Sequence, residues 1–215
     1  MIVAGPNGAG KTTLCESPRF LRDMVQWLDT GHLLNPDKIS LIERSLDPHL
    51  SIPGADLLAA GKVERAVEKY IEAKTSFLVE TVLSSDKYKK FWEMAGESGF
   101  ERHLVFIGLA SPEISIQRVR NRVALGGHDV PEDRLKSRFE RSIGNLAWFA
   151  KTADRHILLN GGMDYLLTSF GSHDQIVIRD RTFPWIDKVF SEFEKVQTIE
   201  RFQNMKRDSG YGLGF

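Results

Sequence analysis

Gly5-Pro6-Asn7-Gly8-Ala9-Gly10-Lys11-Thr12 follows the apolar run Met1-Ile2-Val3-Ala4 and precedes Thr13-Leu14-Cys15-Glu16. The pattern is G-x-x-x-x-G-K-T between a short strand and a helix, the arrangement of a phosphate-binding P-loop. The residue types follow from the chemistry. A triphosphate needs many donors pointing inward, and successive backbone N–H groups supply them when a loop folds into an anion nest. Glycines let the backbone take positive φ and approach the phosphates with no Cβ in the way. Lys11 is placed to reach the β- and γ-phosphates, Thr12 to offer its hydroxyl to Mg²⁺, and the following helix adds the positive end of its dipole. Residues 5–13 are therefore the expected nucleotide-binding residues and ATP the expected nucleotide.

Working outward, strands and helices alternate. Short strands are predicted at 32–35, 76–79, 103–109 and 156–159, and two more at 165–170 and 175–180. Helices are predicted at 39–44, 56–74, 88–98, 111–125, 131–152 and 183–204. On the helix at 56–74, Leu57, Leu58, Val63, Val67, Tyr70 and Ile71 share one face. Pro18 limits the helix after the loop to about two turns. Alternation of this kind implies an α/β fold, a three-layer sandwich with a mostly parallel sheet covered on both faces. One domain over 1–208 is expected, with 209–215 as a loose tail.

Composition sets the class. The chain has 215 residues, 41% hydrophobic and 27% charged, which suits a globular protein with a substantial core. With 29 basic and 29 acidic residues the formal net charge is zero, which argues against a dominant nucleic-acid role. No run reaches the roughly 18 apolar residues of a membrane span, and no charged-then-apolar leader opens the chain. The single cysteine, Cys15, excludes an internal disulfide framework and points to a cytoplasmic protein.

In open parallel sheets, ligands bind beyond the carboxyl ends of the strands. The residues there are Asp37, Glu80-Thr81 and Asn160. Asp37 could take the proton of an attacking hydroxyl, or merely cap the helix that follows Asn35-Pro36. Glu80 could hold acceptor hydroxyls or a magnesium-bound water, or stand as a solvated acid. Ile176 to Asp180 imitates a Walker B strand, but its late place in a hairpin argues against that role. Arg118 and Arg122 lie 40° apart on one helix, at 100° per residue, and Arg134, Arg138, Arg141 and Asn145 share a stripe on the next. Leu135, Phe139, Ile143 and Leu146 define the apolar side of that second helix. Gly126-Gly127-His128 joins the pair. Residues 111–152 therefore make either a lid that brings guanidinium groups onto a transferring phosphoryl group, or two solvated faces partnered by Glu132, Asp133 and Glu140.

These pieces together resemble the zeta-toxin-like P-loop kinases. The resemblance rests on GPNGAGKTT at 5–13, NPD at 35–37, FLVETVLSS at 77–85, SPEISIQRVRNRVALGGHDVPEDRLKSRFERSIGNL at 111–146, AD at 153–154 and Asn160. It implies a nucleoside-kinase-like sheet and Mg²⁺- and ATP-dependent phosphorylation of a small-molecule hydroxyl. In the founding toxins the acceptor is a UDP-activated N-acetylamino sugar, and a small antitoxin blocks the nucleotide site. The resemblance makes Asp37 the base, Glu80 with neighbouring Thr81 the substrate-binding site, and Arg118 or Arg122 a γ-phosphate arginine. The G-G-H segment stands where the founding toxins carry a second catalytic arginine, which leaves Arg138 or Arg141 to replace it. Two other classes stay open: an ATP-binding interaction module that phosphorylates nothing, and a kinase acting on nucleic-acid ends.

Overall fold

The computed structural model describes residues 1–17, 32–127, 130–162, 165–173, 175–180, 182–191, 193 and the strand at 195–198. Its centre is β1 (Ile2–Ala4), three residues that are all buried. Among the described residues the sheet has eight strands, in the order β2-β3-β1-β4-β5-β6-β7-β8. The first five positions hold β2 (Leu33–Leu34), β3 (Leu78–Thr81), β1, β4 (His103–Gly108) and β5 (Arg155–Asn160), all mutually parallel. Then β6 (Leu166–Ser172) runs antiparallel to β5, and β7 (Gln175–Ile178) antiparallel to β6. The hairpin places Ile176 to Ile178 three strands away from β4, so the Walker B imitation sits far from the loop. Chain order reverses around β1, which makes its carboxyl end the switch point where such sheets bind ligands.

Each helix follows its capping chemistry. The helix α1 (Lys11–Glu16) begins at Gly10, whose φ of 97° only glycine adopts without strain. The helix α2 (Pro36–Leu46) is capped by Asn35, whose side chain accepts from the Lys38 N–H; Asp37 lies in its first turn and is not the cap. Pro36 therefore opens this helix, at a position where its missing N–H costs nothing. The helix α3 (Ile52–Glu72) starts earlier than expected because Ser51 caps it ahead of Pro53. Its buried stripe is Ala55, Ala59, Val63, Val67 and Ile71, while Leu57 is 76% and Leu58 47% exposed. Small alanines let α2 and α3 pack closely, joined by Ser40 to Asp56 at 2.7 Å, and the leucines turn outward.

The helix α4 (Lys87–Glu97) ends with Gly99 in the left-handed region, as its C-terminal cap requires. The helices α5 (Pro112–Ala124) and α6 (Glu132–Thr152) follow β4. Leu135, Phe139, Ile143 and Leu146 are buried, on the face the spacing predicted. Ile116, Val119, Val130 and Leu135 form a small apolar cluster of their own. Farther along α6, Phe139, Ile143, Leu146 and Phe149 belong to the main core.

One expected element is different. The helix predicted at 183–204 is α7 (Pro184–Phe190), followed by strand β8 (Lys195–Thr198) parallel to β7. Trp185, Ile186, Val189 and Phe190 anchor the short helix, with Trp185 edge-on to Phe106. The apolar spacing ends at Phe190. Beyond it Val196 and Thr198, β-branched and alternating, pair with an edge that would otherwise leave its backbone groups open. The tail at 209–215, Pro18 and His128 lie outside the described residues. Among the described residues no helix is long and apolar enough to cross a membrane.

His156, on β5, is 1% exposed beside Phe193 and Gly171. Burial lowers its pKa from 6.5 to about 4. Below pH 6.5 the unfolded chain takes up a proton that the folded chain refuses, so stability falls with pH until about 4. This imidazole alone should cost about 2 kcal/mol between pH 7 and pH 5. Urea unfolding of the native chain and of His156→Leu at both pH values checks this: the drop should be smaller by that amount in the variant.

Candidate functional site

The loop after β1 has positive φ at Gly5, Gly8 and Gly10 (146°, 73° and 97°), the three positions marked in the sequence. A Cβ on Gly5 would stand 2.2 Å from the carbonyl oxygen of Ile107 on β4, so the loop turns directly against the neighbouring strand. Lys11 is buried, and its Nζ donates to the carbonyls of Gly5 (2.9 Å) and Pro6 (3.0 Å). The ammonium is thus held across the mouth of the loop.

Glu80 stands opposite. It is 6% exposed at the end of β3, in register with Val3 of β1. Both of its oxygens are engaged: Thr12 Oγ1 donates to Oε1 at 2.7 Å and Asn35 Nδ2 donates to Oε2 at 2.6 Å. Asn35 therefore caps α2 with its oxygen and holds Glu80 with its nitrogen. Asp37 is exposed in the first turn of α2.

The electrostatics bring these groups together. Burial lowers the pKa of Lys11; Glu80 and Asp37 oppose that shift, and Arg122 adds to it. Lys11, Glu80, Asp37 and Arg122 therefore share one field at the carboxyl edge of the sheet. An all-oxygen pair such as Thr12 and Glu80, beside the loop, suits a hard divalent cation of the Mg²⁺ type.

The arginines divide. Arg118 lies on the outer side of the loop, where its Nη1 donates to the carbonyls of Gly8 (3.2 Å) and Gly161 (2.5 Å). Arg122, one turn on, is exposed and within the field of Lys11. Arg138 is half-buried and Arg141 exposed on α6. Asn145, on the same stripe, donates to the carbonyl of Leu83 at 3.0 Å and pins the segment after Glu80. Of the acids expected to partner these arginines, Glu132 pairs with Arg120 instead. Thr81 accepts from the Leu83 N–H through Oγ1 at 3.1 Å, which supports Leu83 at a left-handed φ of 61°. Asn160 ends β5 beside Gly162.

Three contacts were not legible beforehand. Ser115 donates to the Asn7 carbonyl at 2.7 Å, Tyr165 donates to the Gly10 carbonyl at 2.9 Å, and Asn35 holds Glu80. The NPD segment signalled Asn35 by position; nothing in the local sequence marks Ser115 or Tyr165.

Strand order, loop and converging side chains define an α/β P-loop fold of the kinase type. The family model for zeta toxin matches residues 58–161, which include Glu80 and both arginine-bearing helices. An uncharacterized protein of Haemophilus influenzae is 33% identical over 139 residues, 65% of this chain and 91% of that protein. The chain belongs to the zeta-toxin-like P-loop kinase family. Among solved structures, one from the PezAT toxin–antitoxin system of Streptococcus pneumoniae has 18% identity and a TM-score of 0.56, covering 89% of this chain and 76% of that chain. The AvrRxo1-ORF1:AvrRxo1-ORF2 complex solved with ATP gives 18% identity and a TM-score of 0.64 over 89% of this chain. This chain spans 64% of that one, just under two thirds. These likenesses establish the shared fold.

Cys15 tests the packing behind the site. It is 2% exposed in α1, and burial raises its thiol pKa to about 12. A thiol held protonated is a poor nucleophile. Iodoacetamide at pH 8 should leave the folded protein unlabelled by mass spectrometry and label it fully in denaturant; rapid labelling of the folded chain would contradict this placement.

Proposed function

We propose that the protein is a kinase that transfers the γ-phosphoryl group of ATP to a hydroxyl of a small-molecule acceptor. The convergence of Lys11, Thr12, Asp37 and Glu80 at the switch point carries this reading. The loop amides and Lys11 hold the phosphates. Asp37 takes the proton of the acceptor hydroxyl as its oxygen bonds to the γ-phosphorus, and the bond to the β–γ bridging oxygen breaks to release ADP. Thr12 and Glu80 would hold Mg²⁺, which neutralises charge on the β- and γ-oxygens when bound. Engagement of both Glu80 oxygens favours the metal side over direct contact with acceptor hydroxyls. Arg122 faces the γ-phosphate, and Arg138 comes from the second helix.

We take a UDP-activated N-acetylamino sugar as the first acceptor to try, because the family resemblance implies it. The same resemblance, and the two-protein systems among the similar folds, support a small antitoxin-like partner. Incubation with ATP, Mg²⁺ and either UDP-N-acetylglucosamine or a metabolite extract, followed by mass spectrometry, tests the reaction. A product heavier by one phosphoryl group is expected. ATP hydrolysis with no acceptor-dependent product would favour an interaction module instead.

Two variants divide the labour. Lys11→Ala should abolish nucleotide turnover with the fold intact by circular dichroism. Asp37→Asn should bind ATP as before and lose about 10²–10⁴ in kcat. Because Asn35 is the helix cap, the Asn variant disturbs no cap, and near-normal transfer would remove Asp37 from the role of base.

The helices α5 and α6 act as the lid. Their small cluster at Ile116, Val119, Val130 and Leu135 is separate from the main core, and Gly126 closes α5 at a φ of 86°. Amide exchange over 118–127 and 130–141 should slow when ATP and acceptor are both present. Unchanged exchange under saturating ligands would mark a fixed pair of helices.

A further inference from the structure

Asn35 does more than a helix cap requires. The register of β2 on β3 pairs Leu34 with Val79, so the next residues, Asn35 and Glu80, come side by side at the carboxyl edge of the sheet. Pro36 confines the residue before it to extended backbone, and Asn35 is extended. From that backbone its side chain is held at both ends. Oδ1 accepts from the Lys38 N–H at 3.1 Å, and Nδ2 donates to Glu80 Oε2 at 2.6 Å. Asn35 is 5% exposed, so water does not compete for the second bond. The Lys38 ammonium bonds Glu16, one turn beyond Thr12 on α1, and ties this end of α2 back to the helix that carries the P-loop threonine.

Ser, Thr, Asp and Asn all serve as caps, so capping alone does not select asparagine here. Aspartate caps as well but donates nothing when ionised, and a hydroxyl has one oxygen for both tasks. Only the amide carries an acceptor and a donor on separate atoms. The consequence falls on Glu80. Ca²⁺ readily takes both oxygens of a carboxylate into a flexible shell, whereas Mg²⁺ demands a strict octahedron and keeps several of its waters. Thr12 Oγ1 holds Oε1 of Glu80 and Asn35 Nδ2 holds Oε2. A cation lodged against Thr12 meets Oε1, or a water bonded to it. To chelate through both oxygens the carboxylate must turn and give up the Asn35 bond, which leaves a buried amide without a partner.

We propose that Asn35 is a specificity-determining residue: by fixing Glu80 at Oε2 it restricts the acid to contact through one oxygen or through water, and so makes the cation site of the P-loop select Mg²⁺ over Ca²⁺. The inference rests on the kinase reading, which puts a divalent cation at Thr12 and Glu80, and adds to it the choice of ion. Asn35 acts through Glu80 and touches neither the nucleotide nor the ion.

Isothermal titration with the non-hydrolysable β,γ-imido analogue of ATP, in Mg²⁺, in Ca²⁺ and in EDTA, reads the site without turnover. The native chain should bind the analogue at least about tenfold more tightly with Mg²⁺ than with Ca²⁺ or EDTA. Asn35→Ser keeps a good cap and frees Glu80 Oε2. Its Mg²⁺ affinity should fall about tenfold, to meet the Ca²⁺ value, with the EDTA value unchanged. A fall by the same factor in all three conditions would make Asn35 a brace of the site and overturn the proposal, as would a preference for Mg²⁺ that the variant keeps. Equal native affinity in Mg²⁺ and Ca²⁺, both tighter than in EDTA, would overturn it while leaving the cation site and the kinase reading in place. No native gain from Mg²⁺ over EDTA would remove the cation site and this inference together. Failure of the native chain to bind the analogue in any condition would remove the kinase reading as well. If Asn35→Ser does not fold, Asn35→Asp replaces it, because it keeps the cap and the shape, loses the donor and sets a second carboxylate beside the first. The preference for Mg²⁺ should again be lost, and its survival would overturn the proposal.

Discussion

The backbone from Gly5 to Gly10 must leave a buried strand, reverse, and enter a helix, and the rest of the molecule is packed to that requirement. The turn is pressed so closely against β4 that a single added carbon at Gly5 would overlap the Ile107 carbonyl. The outward carbonyls are taken up by Arg118 and Tyr165, and the Asn7 carbonyl by Ser115. These partners come from α5 and from the connection after β5. The nest is therefore a joint product of three segments, although its motif is local.

A buried lysine is the electrostatic counterpart of that geometry. Desolvation works against its charge, and the loop carbonyls, Glu80 and Asp37 work for it. Glu80 is buried too, and a buried carboxylate is tolerable only when its oxygens are bonded. Thr12 and Asn35 meet that need. Asn35 thereby couples the cap of α2 to the acid on β3. The same residue sets the start of the helix that carries Asp37, so the placements of Asp37 and Glu80 have one origin.

The two arginine-bearing helices have a divided attachment. The later part of α6 is fastened in the main core through Phe139, Ile143, Leu146 and Phe149. Its first turn and α5 share a separate cluster. Asn145 sits within the fastened part and holds the carbonyl of Leu83, a fully buried residue in the left-handed region. Glycine is the residue that accepts such a φ without strain. Here the Thr81 hydroxyl and the Asn145 amide supply the restraint, and the chain beyond Glu80 keeps a fixed course below the helices.

The sequence by itself determined what depends on spacing along the chain. The P-loop, the alternation of strands and helices, the buried face of α6, the Gly99 cap and the NPD segment are all local patterns, and each is where its residues implied. It also placed Asp37, Glu80 and Lys11 on one edge, because a parallel sheet aligns the ends of its strands. Tertiary structure decided what depends on partners distant in the chain. Asn35 rather than Asp37 caps α2, and the leucines at 57 and 58 face out because Ala55 and Ala59 allow closer packing. The stretch after Phe190 is a strand because an edge of the sheet was open to it. Arg118 and Arg122 are indistinguishable in a helical projection, since 40° separates them on the same face. Only the carbonyls of Gly8 and Gly161 draw one of them to the outside of the loop and leave the other in the field of Lys11. Tyr165 had no local signal at all; its role arises from a contact across 155 positions of sequence.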